Sequence, residues 1–142
     1  MPTPPKRRLA VITCMDARID PARILGFGEG DAHVIRNGGG DAREALRSLL
    51  LSQHLLETRE VALIRHTDCG LSGGSNDAIR QKVTEASGGD ASEIDFLPFA
   101  DLEEAVRDDI RFLESSPLLA PGSTVRGYVY DVETRSLQEV AP

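Results

Sequence analysis

Leu9-Ala10-Val11-Ile12-Thr13, running directly into Cys14-Met15-Asp16-Ala17-Arg18, is the stretch whose reading decides the fold. The apolar run is unbroken rather than alternating, which suits a strand covered on both faces. It is too short for a signal-peptide core. Two further runs repeat the design. Ala32–Ile35 runs into Arg36-Asn37-Gly38-Gly39-Gly40, and Val61–Ile64 into Arg65-His66-Thr67-Asp68-Cys69-Gly70. Each run ends in polar or glycine-rich residues.

Helical patterns follow the second and third of these runs. Asp41 with Glu44 three residues on has the form of a capping box. Behind it Ala42, Ala45, Leu46, Leu49, Gln53 and Leu56 fall on one face. Asp101 with Glu104 repeats the device ahead of Leu102, Ala105, Val106, Ile110 and Leu113, and Pro117 closes that segment. A weaker helical pattern spans about 77–86, after a loop over 70–76. Val125–Tyr130 and Leu137–Val140, joined by a short turn, read as an antiparallel hairpin at a sheet edge. The expected fold is α/β: a mainly parallel central β-sheet flanked by helices, with that hairpin at its C-terminal edge. The chain reads as a single domain over 1–142, with residues 1–8 as a flexible lead-in.

The bulk properties narrow the function. The chain has 142 residues, enough for one sizeable core. Its formal net charge of −7 argues against a nucleic-acid footprint. Lys6-Arg7-Arg8 reads as a solvated end. No apolar run approaches the ~20 residues that span a bilayer, so no membrane partner is expected. With no signal the chain is expected in the cytoplasm, where thiols stay reduced. Its two cysteines there point to a metal or catalytic pair rather than a disulfide.

In an open parallel sheet, the carboxyl ends of neighbouring strands share one crevice, where ligands bind. The three strand-end sequences are therefore expected to meet. Cys14, His66 and Cys69 then supply two thiolates and an imidazole, a donor set that suits zinc. His66 and Cys69, three residues apart, can face one ion from one turn. His33 and His54 have no cysteine neighbour and read as structural. No fourth Cys or His remains, and an open position marks a catalytic zinc site. Taken singly, these signals are weak: two cysteines can be small buried apolar residues, and Asp16 with Arg18 a surface ion pair. What lifts them is that each falls at the end of an expected strand.

At these residues the sequence resembles the β-carbonic anhydrases. The family's Cys-x-Asp-x-Arg is here Cys14 to Arg18, and its His-x-x-Cys-Gly is His66 to Gly70. Arg36-Asn37-Gly38-Gly39 matches its Arg-Asn and small-residue loop. Gly30–Asn37 and Arg126–Asp131 are similar to a short bacterial subgroup, and the resemblance runs from about Leu9 to the end. It implies one Zn²⁺ per chain on Cys14, His66 and Cys69, and hydration of carbon dioxide to bicarbonate and a proton. Asp16 would orient the attacking hydroxide, and Arg18 would hold Asp16 ionised and away from the metal. Gly70 would lie beside the reacting oxygen, with Gly38 and Gly39 lining the pocket. Relatives on the same scaffold hydrolyse carbonyl sulfide or carbon disulfide, and an inert zinc-stabilised binding protein is a further alternative. A homodimer or a multiple of dimers is implied, with the hairpin Val125–Val140 and the helix Ala42–Leu56 offering surfaces. The sequence departs from the family in three places. Only 13 residues precede Cys14, where family members usually carry a longer helical arm. The loop Gly38–Arg43 is about one residue shorter, and Leu71–Asn76 is short and glycine-rich.

Overall fold

Unbroken apolar runs with little room for water become the inner strands of one five-stranded sheet. The computed structural model describes residues 2–142. Its elements are β1 (Leu9–Cys14), α1 (Pro21–Leu25), β2 (Ala32–Asn37), α2 (Ala42–His54), β3 (Glu60–His66), α3 (Asn76–Ser87), α4 (Leu102–Glu114), β4 (Thr124–Tyr130) and β5 (Leu137–Val140). The strand order is β2-β1-β3-β4-β5. β1 to β4 run parallel, and β5 returns antiparallel on β4. This is the mixed sheet with an antiparallel C-terminal edge that the sequence implied.

Alternate residues of the inner strands feed two separate apolar clusters, as the period-2 geometry of a strand requires. Ala10, Ile12, Val61 and Leu63 pack with Ala45 and Leu49 of α2 and Val106, Ile110 and Leu113 of α4. Val11, Ala62 and Ile64 face the other way, toward Ile19, Tyr130 and the half-buried Ile24, Leu25 and Phe27. Among the described residues, no helix is long and apolar enough to cross a membrane.

Some expectations change. β2 is not covered on both faces like β1 and β3, because it lies at the sheet edge with only β1 beside it. Val34 is accordingly 42% exposed. An apolar run shows that a strand exists but not its place in the order. The lead-in read over 1–8 is tied down from Lys6 onward. Lys6 and Arg7 N–H donate to Gly30 and Asp31 carbonyls, and the Arg8 carbonyl accepts from Arg59 and Glu60. Helix α1 has local signals only, since Asp20 caps it through Arg23 N–H and Pro21 occupies its first turn. Its five residues are too few for a periodic signal. Asp41 caps α2 through the N–H groups of Arg43 and Glu44, but its own N–H goes to Asn37 Oδ1 rather than to Glu44. α3 stands out along the chain, with no buried residue at all.

Where α4 crosses β4, the sheet has no side chain. A Cβ on Gly127 would fall 2.9 Å from Ile110 Cδ1 and closer still to Val106 Cγ1. Gly127→Ala is expected to destabilise the protein by about 1–3 kcal/mol, the usual range for overpacking. Chemical denaturation checks this, and an unchanged midpoint would show that α4 can yield.

Candidate metal centre

The parallel register brings the carboxyl ends of β1 and β3 side by side. Thr13 stands opposite Ile64, and its Oγ1 donates to the Ile64 carbonyl at 2.9 Å. The chain turns from β1 to β2 on one side and to β3 on the other, so the crevice lies at the switch point of the sheet. Cys14 closes β1 and His66 closes β3. Cys69 follows on a turn where Asp68 takes φ +54°, a left-handed conformation that Asp tolerates better than most residues. One ligand atom from each of Cys14, His66 and Cys69 lies within 4.8 Å of the others, and all three residues are buried.

His66 Nδ1 sits 2.7 Å from the Thr67 carbonyl, which sets that nitrogen as the N–H donor. Nε2 is then a bare acceptor. Among the described residues it is the one buried side-chain N or O atom with no hydrogen-bond partner. Such an atom carries a desolvation cost that a coordinated cation removes. Both cysteines are free. Burial pushes the Cys69 thiol up, and the neighbouring Cys14 sulfur pushes it further. Two thiolates this close need a positive centre to stay ionised. The donor set therefore fits a thiophilic divalent ion such as zinc.

Beside the cluster, Asp16 and Arg18 form a two-pronged pair. Arg18 Nε donates to Asp16 Oδ1 at 3.0 Å and Nη2 to Oδ2 at 2.8 Å. The Arg18 backbone N–H adds a third bond to Oδ1. These bonds hold the Asp16 carboxyl well below the usual carboxylate range, against the opposing effect of burial. Asp16 Oδ2 stands 3.8 Å from His66 Nε2. The Arg18 guanidinium also reaches Asp68, through Oδ2 and the backbone carbonyl at 3.0 Å each. It thus links the two turns that carry the cysteines. Asp68 lay inside the quoted motif but had no assigned part. Arg36 contributes as well, donating to the carbonyls of Cys14 and Asp16.

The three glycines expected near the site line one cleft of about 790 Å³ together with Cys14, Asp16 and Cys69. Gly39 is committed to the cluster itself, its N–H donating to Cys14 Sγ at 3.3 Å. A Cβ on Gly38 or Gly70 would meet nothing within 4 Å, so space alone does not demand glycine there. It does at Gly40, which has φ +70° and where a Cβ would fall 2.9 Å from Cys14 N. Met15, Leu71, Phe96 and Leu97 give the cleft an apolar wall. The last two come from a segment to which no part was assigned. His33 and His54 lie outside the centre, bonded to Ser52 Oγ and the Leu118 carbonyl respectively.

Known proteins resemble this chain in sequence and in fold. The family model described as carbonic anhydrase matches residues 9–95. β-Carbonic anhydrase 1 of Mycobacterium tuberculosis is 40% identical over 145 aligned residues, which take in 100% of this chain and 87% of that protein. A crystal structure of carbonic anhydrase from Streptococcus mutans has a TM-score of 0.94 at 42% identity, covering 99% of this chain and 86% of that one. Carbon disulfide hydrolase of Saccharolobus solfataricus is 32% identical, covering 96% of this chain and 78% of that protein.

The Asp16 geometry has a consequence in the metal-free protein. Asp16 is expected to stay ionised when ordinary carboxylates, with pKa values of about 3.9, have taken up protons. The stabilisation from the pair is then present above that value and is lost only as pH falls through the depressed folded-state pKa. Arg18→Ala should return Asp16 toward the ordinary range. Carbon NMR of the Asp16 carboxyl across an acid titration checks both statements. Titration of wild-type Asp16 together with the other carboxylates would refute the first.

Proposed function

The chain belongs to the β-carbonic anhydrase family, and from that premise we propose that Cys14, His66 and Cys69 hold one Zn²⁺ with which it catalyses the reversible hydration of carbon dioxide. The observation that carries the proposal is the unpartnered His66 Nε2, buried against two thiols and beside an Asp16 already fixed by Arg18. When bound, zinc supplies a Lewis acid that brings the ionisation of water toward neutral pH.

The chain's own residues do the rest. Asp16, ionised and held by Arg18, accepts a hydrogen bond from the attacking hydroxide and points its lone pair at the carbon. Hydroxide oxygen bonds to carbon, one C=O pair becomes an oxyanion, and bicarbonate leaves as water takes its place. The proton from that water goes to solvent. Arg18 also keeps Asp16 from turning toward His66. Gly70, next to Cys69, would lie beside the reacting oxygen, and Gly38 and Gly39 line the same cleft. The apolar wall of Met15, Leu71, Phe96 and Leu97 suits an uncharged linear substrate. A metal with only a structural part needs no Asp16–Arg18 pair.

That same wall favours one second reading, hydrolysis of carbonyl sulfide or carbon disulfide, which are also linear and less polar. Because zinc–thiolate chemistry needs reduced cysteines, the proposal places the chain in the cytoplasm. It also includes a homodimer. Among the described residues the outer edge of β2 is unpaired, and Val34 on it and Leu51 beside it are each 42% exposed. An exposed edge of this kind recruits another strand unless something covers it.

Two measurements follow. Arg18→Ala and Asp16→Asn are expected to keep zinc while losing ~10²–10⁴ in hydration rate, the usual worth of such groups. Cys14→Ser and Cys69→Ser should lose the metal. Stopped-flow hydration with zinc analysis on the same samples, and carbon disulfide turnover measured alongside, separates the readings. Asp16 and Arg18 variants with near wild-type rates would overturn the assignment. For assembly, light scattering should report a dimer at micromolar concentration, and Leu51→Glu with Val34→Glu should shift it to monomer. A wild-type monomer would refute this part.

A further inference from the structure

We propose that Arg65 is a positioning residue for the metal centre: held by Asp109 and Asp41, it fixes Gly39 so that the Gly39 N–H donates to the Cys14 sulfur. The inference rests on the reading of Cys14 as a metal ligand.

Arg65 immediately precedes His66, and neighbouring strand residues face opposite sides of the sheet. While His66 turns to the cysteines, Arg65 turns toward α2 and α4. There it is almost entirely buried, with 4% of its side chain exposed. Nε donates to Asp109 Oδ2 at 2.8 Å, and Nη2 to Asp109 Oδ1 at 3.2 Å and Asp41 Oδ2 at 3.3 Å. Phe99 covers the guanidinium face at 4.9 Å. The remaining nitrogen, Nη1, donates to the Gly39 carbonyl at 3.1 Å. Gly39 in turn donates its N–H to Cys14 Sγ. The path from α4 to the metal ligand is thus Asp109, Arg65, Gly39, Cys14, and every link is a hydrogen bond.

Stability alone does not account for this arrangement. A buried ion pair gains little over well-packed apolar residues, because both charges must leave water. What the pair provides is direction. Gly39 has φ +89° and Gly40 φ +70°, so this turn has the freedom of two left-handed glycines. A rigid planar fork anchored on α4 removes that freedom at the Gly39 carbonyl. The N–H is then aimed at the Cys14 sulfur. It draws negative charge off the sulfur. A centre with two thiolates donates much charge to its metal, and this bond limits that donation. Partners of metal ligands at one remove are typically worth about 10–100-fold in metal affinity or activity.

The experiment begins with the wild-type protein, so that folding of a variant is not at issue. With NMR-active cadmium in place of zinc, the Gly39 amide proton should show scalar coupling to the metal through the Cys14 sulfur. Coupling to the Cys14 β protons reports separately that Cys14 is a ligand. Arg65→Lys and Asp109→Asn should then lose the Gly39 coupling and bind zinc about 10–100-fold more weakly in chelator competition. Their cobalt-loaded forms should show the thiolate-to-metal charge-transfer band moved to longer wavelength, since an unbonded sulfur gives up electrons more readily. Asp108→Asn, on the exposed side of α4, should change none of these. Cadmium coupled to Cys14 but not to Gly39 in the wild type would overturn the proposal. So would variants that melt earlier yet keep wild-type zinc affinity and an unshifted band, which is the outcome of a merely structural role. Absence of coupling to Cys14 itself would remove the metal reading, and this inference with it.

Discussion

A buried polar atom must find a partner, and His66 Nε2 has none among the described residues. The Thr67 carbonyl fixes the other ring nitrogen, so the imidazole cannot turn to relieve it. Two buried sulfurs lie within reach of the same nitrogen, one at the end of β1 and one on the turn after β3. One divalent cation would satisfy all three donors at once. The strand order, the left-handed turn at Asp68 and the glycines pressed against Cys14 all keep these atoms together.

Two arginines flank this centre, and their surroundings differ. Arg18 is 47% exposed, and water can replace any of its bonds to Asp16 and Asp68. Arg65 is buried under Phe99, and its bonds to Asp109 and Gly39 have no such substitute. The open side of the site can therefore rearrange at small cost, which suits the side that a substrate enters. The closed side is tied through α4 to the main apolar cluster. Movement at Asp16 need not disturb the ligands, because the two halves lean on different elements.

How far the sequence disclosed this depended on how local each signal was. Cys14, His66 and Cys69 follow apolar runs directly, so their place at strand ends could be read from Leu9–Thr13 and Val61–Ile64 alone. The caps at Asp41 and Asp101 were legible for the same reason, since each lies within four residues of what it bonds. The edge position of β2 was not, because Ala32–Ile35, interrupted only by His33, still reads as a strand like its neighbours and the order of strands is a property of the whole chain. Arg65 and Asp109 were missed because they are 44 residues apart and each looks ordinary. An arginine after an apolar strand and an aspartate on an amphipathic helix become a pair only once α4 is laid across the sheet. Likewise, Phe96 and Leu97 belong to no periodic segment, and only folding brings them to the cleft wall.

The parallel pairing of β1 with β3 also sets a sequence of events in time. His66 and Cys69 lie on one turn and can face each other as soon as that turn forms. Cys14 joins them only after β2 and α2 have been laid down between and the two strands have paired. Contacts of such wide separation along the chain form late, because loop closure must precede them. A nascent chain thus carries a two-donor half-site before it has a three-donor one. A metal captured early would be held loosely and exchange freely, and only closure of the sheet would trap it.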